Sequence, residues 1–119
     1  MRGDTIVPPI DMKVIEDLRR EGVSFFLELV DLFDTEAPAG IRDIVDSFTR
    51  NDLKAIARSA HRLKGSAVTF GAQRMSELCQ ELELAARSEA LANAHLLFDQ
   101  LTLEYSRVAD ALKAERTIS

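Results

Sequence analysis

The chain has 119 residues, a formal net charge of −5 and a pI near 5.0, so it lacks the basic surplus of nucleic-acid-binding proteins. Its hydrophobic fraction of 46% and charged fraction of 29% indicate one globular domain over residues 1–119. No apolar stretch approaches the roughly 20 residues that span a bilayer, and the single cysteine excludes an internal disulfide. We therefore expect a cytoplasmic protein without nucleic-acid or membrane partners.

The first nine residues end in Pro8-Pro9 and are expected to form a loose lead-in. They contain no long apolar core, so a signal peptide is not indicated. Asp11 is placed to cap a short helix that runs to about Arg20, and Gly22 is placed to end it.

The next segment, from Val23 to about Arg50, has apolar residues spaced three and four apart, which indicates an amphipathic helix. Pro38 lies within it, and a proline inside a helix removes one backbone donor and clashes with the preceding turn. The pattern fits either one kinked helix or two abutting helices. The expected inward positions are Phe26, Leu29, Val30, Phe33, Ala37, Ile41, Ile44, Val45 and Phe48.

Three further helices follow. Asn51 or Asp52 is the expected N-cap of the third helix, which Gly71 ends. A fourth helix covers residues 72 to about 87, and Ser88 is the expected cap of a last helix that runs to about Arg116. Their expected inward positions are Leu53, Ile56, Ala60, Leu63, Ala67 and Phe70, then Met75, Leu78, Cys79, Leu82 and Ala86, then Leu91, Ala94, Leu97, Leu101, Val108 and Leu112.

This helix count, with short connections and without alternating strand patterns, predicts an all-α fold. We expect an antiparallel four-helix bundle with a short extra N-terminal helix.

The most informative segment lies in the third helix and reads AHRLKGSAVTFG over residues 60–71. His61 is one residue away from the buried row, so its ring is expected at the edge of the core with one side toward solvent. Gly65 lies within the helix, where glycine costs about 1 kcal/mol relative to alanine, and such exceptions concentrate at functional sites. Lys64 places a cation one turn from the imidazole, which suits an arriving phosphoryl group.

The run His61-x-Leu63-Lys64-Gly65-Ser66-Ala67 is followed by Phe70-Gly71 and then by Leu78, Leu82 and Glu83. This pattern closely resembles the histidine-containing phosphotransfer (HPt) domain family. It is also similar to the phosphoacceptor domain of chemotaxis histidine kinases. The specific motif covers the two central helices, and the hydrophobic pattern extends the resemblance over nearly the whole chain.

The resemblance implies a phosphorelay carrier in two-component signal transduction. By this analogy His61 is phosphorylated on Nε2 by a receiver-domain aspartate or a histidine kinase, and passes the group to a response regulator. Lys64 would steady the phosphoryl oxygens and Gly65 would clear room for the receiver. Glu83 would hydrogen-bond Nδ1, with Gln80, one turn earlier, as the second candidate for that role.

The implied partners are response-regulator receiver domains and a hybrid or histidine kinase. Because no ATP-binding motif is visible, we expect a phosphohistidine carrier rather than an enzyme. We also expect a monomer with no cofactor. The expected docking face beside His61 comprises Ala57, Arg58, Arg62 and Val68, with Ile10, Met12, Phe25 and Leu32 as further exposed apolar candidates.

Other readings remain open at this level. The chain could be a helical interaction module whose His61 is not phosphorylated, or a phosphoacceptor domain excised from a larger kinase. A metal site shared by His61 and His95 is disfavoured, because position 58 is arginine where di-iron bundles have glutamate. His95 lacks the lysine and glycine that follow His61 and reads as an ordinary helix residue.

Overall fold

A computed structural model describes residues 7–119, which form five α-helices and no strand. What was expected of residues 1–6 lies outside this range. The all-α prediction, four long helices preceded by a short one, is confirmed. The helices are α1 (Met12–Glu21), α2 (Val23–Thr49), α3 (Leu53–Thr69), α4 (Gln73–Arg87) and α5 (Leu91–Thr117).

Side-chain and backbone caps set the first helix boundaries where the sequence predicts them. The Asp11 carboxylate accepts from the Lys13 amide at 2.9 Å, and the Gly22 amide donates to a carbonyl of the last turn of α1. Of the two candidates for the next N-cap, Asp52 takes that position and accepts from the Ala55 amide at 3.0 Å. These caps satisfy backbone groups that a helix end otherwise leaves unpaired.

The start of α5 differs from the prediction. Ser88 does not cap α5 but closes α4, where its hydroxyl donates to the Leu84 carbonyl at 2.7 Å. The turn continues through Glu89, which has a positive φ of 58°, and α5 begins after Ala90. A serine hydroxyl can bond either the following amides or the preceding carbonyls, so its type alone did not decide between the two helices.

The helix α2 runs without interruption past Pro38, so a break at that residue is excluded. Proline lacks the amide that would donate one turn back, and the loss of that single bond is tolerated within a helix of 27 residues. One continuous helix therefore supplies a full side of the bundle.

The core lies between α2, α3, α4 and α5, with α3 packed against both α2 and α4. At one end, the ring of Phe70 meets Phe26 and Phe33 edge-on, at centroid distances of 6.5 and 5.8 Å. Two predicted inward positions are wrong, since Val45 and Leu91 are 47% and 37% exposed. Val45 points away because Ile44 takes the core position, and Leu91 is the first residue of α5.

The chain before α1 is tied to the turn between α3 and α4. Ile10 is 4% exposed, and the Asp11 amide donates to the Phe70 carbonyl at 3.1 Å. Gly71, which follows Phe70 in this turn, has a φ of +64°, a left-handed conformation that favours glycine. Within residues 7–119, no helix has the length and apolar character required to cross a membrane.

Candidate functional site

His61 stands on α3 with its side chain 70% exposed, directly after the fully buried Ala60. Its Nδ1 lies 3.1 Å from Oε1 of Glu83, which projects from the neighbouring helix α4. The ring therefore sits at the margin of the core, and one of its nitrogens is engaged by the protein. The 22-residue offset between the two residues places them side by side because α3 and α4 are antiparallel neighbours.

The other carboxylate oxygen of Glu83 is held by Arg87, one turn further along α4. Oε2 accepts from Nε and Nη2 of Arg87 at 3.0 and 2.9 Å. Each oxygen of the carboxylate thus has its own partner. Arg87 was not among the site residues predicted from the sequence, although a Glu–Arg pair four residues apart on a helix is a recognisable signal.

The ionisation of Glu83 follows from these contacts. Its partial burial raises the pKa, but hydrogen bonds from Arg87 and His61, with their positive charges, outweigh that effect and lower the pKa below the ordinary 4.5. The group is therefore a carboxylate at neutral pH and only accepts hydrogen bonds. A neutral His61 that bonds to it carries its proton on Nδ1, which leaves the lone pair of Nε2 available.

Lys64 and Gln80 form a second cross-helix contact. The ammonium of Lys64 donates to Oε1 of Gln80 at 2.7 Å. Of the two candidates for the partner of His61 Nδ1, Glu83 makes the contact, and Gln80 instead holds the lysine one turn from the imidazole.

Gly65 leaves the surface next to His61 open. A Cβ built on this residue would meet no heavy atom of another part of residues 7–119 within 4 Å, so packing in the described fold does not require a glycine there. Its carbonyl accepts from the Thr69 hydroxyl at 3.2 Å within the same helix. If a small residue is required at this position, the requirement comes from a binding partner that approaches this surface.

Two members of the predicted docking face are wrong. Ala57 is fully buried, because α2 and α4 cover two sides of α3 and the buried strip is wider than one row. Ile10 is also buried, packed in the core cluster. The remaining candidates are exposed, namely Arg58, Arg62, Val68, Met12, Phe25 and Leu32. Nη2 of Arg62 lies 3.7 Å from Oδ2 of Asp43 on α2.

A shallow groove runs between α2 and α3 beside this surface. It is lined by Leu29, Leu32, Glu36, Arg62, Gly65 and Thr69, among others. An apolar floor rimmed by charged side chains is typical of a protein-binding surface.

The other histidine and the cysteine lie away from this arrangement. The His95 ring stacks on Phe48 at a centroid distance of 4.2 Å. Cys79 is buried in the core, and burial raises the pKa of its thiol to about 12 despite the nearby charge of Lys64. Among residues 7–119, no group of three or more His, Cys, Asp or Glu side chains is arranged to hold a metal ion.

The Hpt domain family matches residues 28–111, which is most of the chain. The crystal structure of histidine-containing phosphotransfer protein B (HptB) from Pseudomonas aeruginosa PAO1 superimposes with a TM-score of 0.89 at 27% identity, covering 96% of this chain and 99% of that one. The phosphorelay intermediate protein rdeA of Dictyostelium discoideum is 23% identical over 106 residues, or 89% of this chain, which spans only 42% of that relative. The chain belongs to the Hpt domain family.

Proposed function

We propose that the chain is a phosphorelay carrier in two-component signalling and that His61 is its phosphoacceptor. Family membership and the phosphorelay relative support the carrier role. The observation that carries the assignment to His61 is its geometry. The ring is 70% exposed, and its Nδ1 is engaged by an ionised carboxylate at 3.1 Å, so that Nε2 faces outward as a nucleophile.

The proposed transfer begins with attack of the Nε2 lone pair on the phosphorus of a receiver aspartyl phosphate. An Nε2–P bond forms, the P–O bond to the aspartate breaks, and its electron pair leaves on the carboxylate. The imidazole keeps its proton on Nδ1 and becomes cationic. Glu83 then faces a positive ring, and the charge-assisted hydrogen bond strengthens as the phosphoryl group arrives.

Lys64 and Gly65 have supporting roles in this proposal. The Lys64 ammonium, held one turn from the imidazole by Gln80 at 2.7 Å, offsets the negative charge of the phosphoryl oxygens. Gly65 leaves room for the receiver pocket to approach, consistent with the open space around its Cα.

The proposed partners are receiver domains of response regulators and a hybrid or histidine kinase. Arg58 and Arg62 would meet the acidic phosphorylation pocket of a receiver, and Val68 with the groove between α2 and α3 would supply apolar contact. In this scheme ATP is used by the kinase, and the chain acts in the cytoplasm as a monomeric single domain without a cofactor of its own.

Phosphate transfer from a purified, radiolabelled phospho-receiver tests the proposal. We expect the wild type to acquire acid-labile, base-stable label, His61→Gln to acquire none, and the matched control His95→Gln to behave as the wild type. Absence of label in the wild type with every cognate receiver contradicts the carrier role. Receiver binding without label would favour the interaction-module alternative, and label on His61→Gln would show that another residue is the acceptor.

A further inference from the structure

We propose that Arg87 is a positioning residue for this site, acting through Glu83 to hold His61 with Nε2 free. The proposal rests on the proposed role of His61 and adds a third member to the His61–Glu83 pair. None of the site residues predicted from the sequence orients the Glu83 carboxylate. Arg87 does so without touching the imidazole itself.

The geometry shows that Arg87 fixes the orientation of the Glu83 carboxylate and does more than pair with its charge. Nε and Nη2 of Arg87 both donate to Oε2 of Glu83, at 3.0 and 2.9 Å, while Oε1 is left for His61 Nδ1 at 3.1 Å. The two donors of one planar guanidinium converge on Oε2 and fix the position of that oxygen, whereas the ammonium of a lysine is a point charge with freely rotating donors. Holding Oε2 therefore determines where Oε1 points.

Burial supports the same conclusion. The Glu83 side chain is 16% exposed, whereas those of His61 and Arg87 are 70% and 57% exposed. The carboxylate is therefore the most buried of the three groups, and water competes little for its oxygens. The orientation of the carboxylate in turn fixes the orientation of the exposed imidazole. An exposed Glu–Arg pair on one helix is worth only about 0.3–0.5 kcal/mol. The importance of the Glu83–Arg87 pair is that it orients the imidazole of His61.

Without Arg87, the Glu83 carboxylate keeps its place on α4 but can rotate about its terminal bond and bind water through both oxygens. The Nδ1–H form of His61 is then held less firmly, and the fraction of molecules with a free Nε2 lone pair falls. Lysine at this position supplies the charge and one donor at a time, so it restores part of the effect.

Imidazole nitrogen NMR on the full chain tests the inference without requiring phosphate transfer. Two-bond ¹⁵N–¹H spectra report the tautomer of His61, and His95 serves as the internal reference. We expect Arg87→Gln to lower the ratio of the Nδ1–H to the Nε2–H form about threefold, Arg87→Lys to give an intermediate ratio, and Glu83→Gln to lower it as well. The control Arg74→Gln removes a half-buried arginine of α4 that pairs with Glu77 and Glu81 and donates to Gln100, and it should leave the ratio unchanged.

Transfer kinetics with a phospho-receiver distinguish positioning from docking. Arg87→Gln should lower the maximal transfer rate about three- to tenfold, with the half-saturating receiver concentration unchanged and Arg87→Lys between the two. An unchanged tautomer ratio in Arg87→Gln overturns the inference, as does a raised half-saturating concentration with an unaltered maximal rate, which would assign Arg87 to receiver contact. If the wild type accepts no phosphate, the proposed function fails, while the NMR comparison still decides whether Arg87 positions the ring.

Discussion

At the scale of single residues, Glu83 makes the site sensitive to acid. Its carboxyl pKa is lowered in the folded chain, so the folded state is stabilised by the ionised form above the ordinary value of 4.5. That stabilisation is lost as the pH falls through the lowered folded-state pKa. Glu83→Gln should therefore reduce the free energy of unfolding at about pH 7, by less than about 1 kcal/mol given the exposure of its partners, and have little effect near pH 3.

Urea unfolding at the two pH values measures this difference. Glu77→Gln on the same helix, whose side chain is 51% exposed, is the matched control. If the difference in free energy of unfolding between the wild type and Glu83→Gln is the same at both pH values, the effect does not come from the ionised carboxylate.

Gly65 should separate stability from function. Alanine is the better helix former by about 1 kcal/mol, and its methyl group would meet no side chain within 4 Å among residues 7–119. Gly65→Ala is therefore expected to raise the melting temperature by about 3–6 °C. It should also slow phosphate transfer severalfold, because the methyl group occupies the open surface beside His61.

Calorimetry and the transfer assay together check this prediction, with Ser66→Ala as the neighbouring control. A stabilised variant that transfers at the wild-type rate would show that the receiver does not need the space above Gly65.

The site was predictable from sequence as far as it depends on helix register. His61, Lys64 and Gly65 share one face of α3 because they are three and four residues apart, and Glu83 follows from the family pattern. The choice between Glu83 and Gln80 depended on side-chain direction across two helices, which a sequence does not contain. Arg87 was missed for the same reason, since its role appears only once both oxygens of Glu83 are located.

At the scale of helices, the turn between α3 and α4 is fixed by Gly71. A Cβ there would lie 2.5 Å from Asp11 Cβ and 3.1 Å from Val14 Cγ2, on a backbone with φ of +64°. Relief of this clash must move the start of α1, which is bonded to the turn through Asp11 and Phe70. Gly71→Ala should lower the free energy of unfolding by about 2 kcal/mol or more.

Chemical denaturation checks this value against Gly40→Ala in α2. A Cβ at Gly40 makes an ordinary contact with Leu63 at 3.5 Å, so the control should lie near or above wild-type stability. Equal losses in both variants would mean that helix α1 does not depend on the conformation of the turn.

Helix boundaries were predictable where one residue type has one strong local use, as at Asp11 and Gly22, whereas the sequence left Asn51 and Asp52 open as the N-cap of α3. Prediction stopped where two outcomes have similar local cost. Ser88 could bond forward or backward, and the structure shows the backward bond. Pro38 could kink or interrupt α2, and the packing of the helix on both sides of it, at Phe33 and Ile44, keeps one continuous element.

At the scale of the whole molecule, Arg19 closes the bundle between its first and last helices. Its Nη2 donates to the carbonyl and Oε1 of Glu115 at 3.0 and 2.8 Å, and Nε to the Ser119 hydroxyl at 3.0 Å. The guanidinium also lies 4.9 Å from the Phe26 ring centroid. Arg19→Ala should lower the free energy of unfolding by about 1–2 kcal/mol.

The adjacent Arg20 is the matched control, because among residues 7–119 its one ion pair is with the exposed Asp17 on its own helix. Arg20→Ala should cost less than about 0.5 kcal/mol in the same urea titration. Similar effects of both substitutions would mean that the contacts between α1 and α5 contribute no more than a surface ion pair.

The exposure of His61 also bears on how long a charged carrier lasts. A ring that is 70% exposed admits a receiver pocket from many directions, and it admits water to the same phosphorus. Shelter would lengthen the life of the N–P bond but would block the partner that must reach it. With the acceptor proposed here, the storage time of the phosphoryl group is set by the intrinsic hydrolysis of phosphohistidine, so a signal persists only while encounters with the next receiver are faster than that decay.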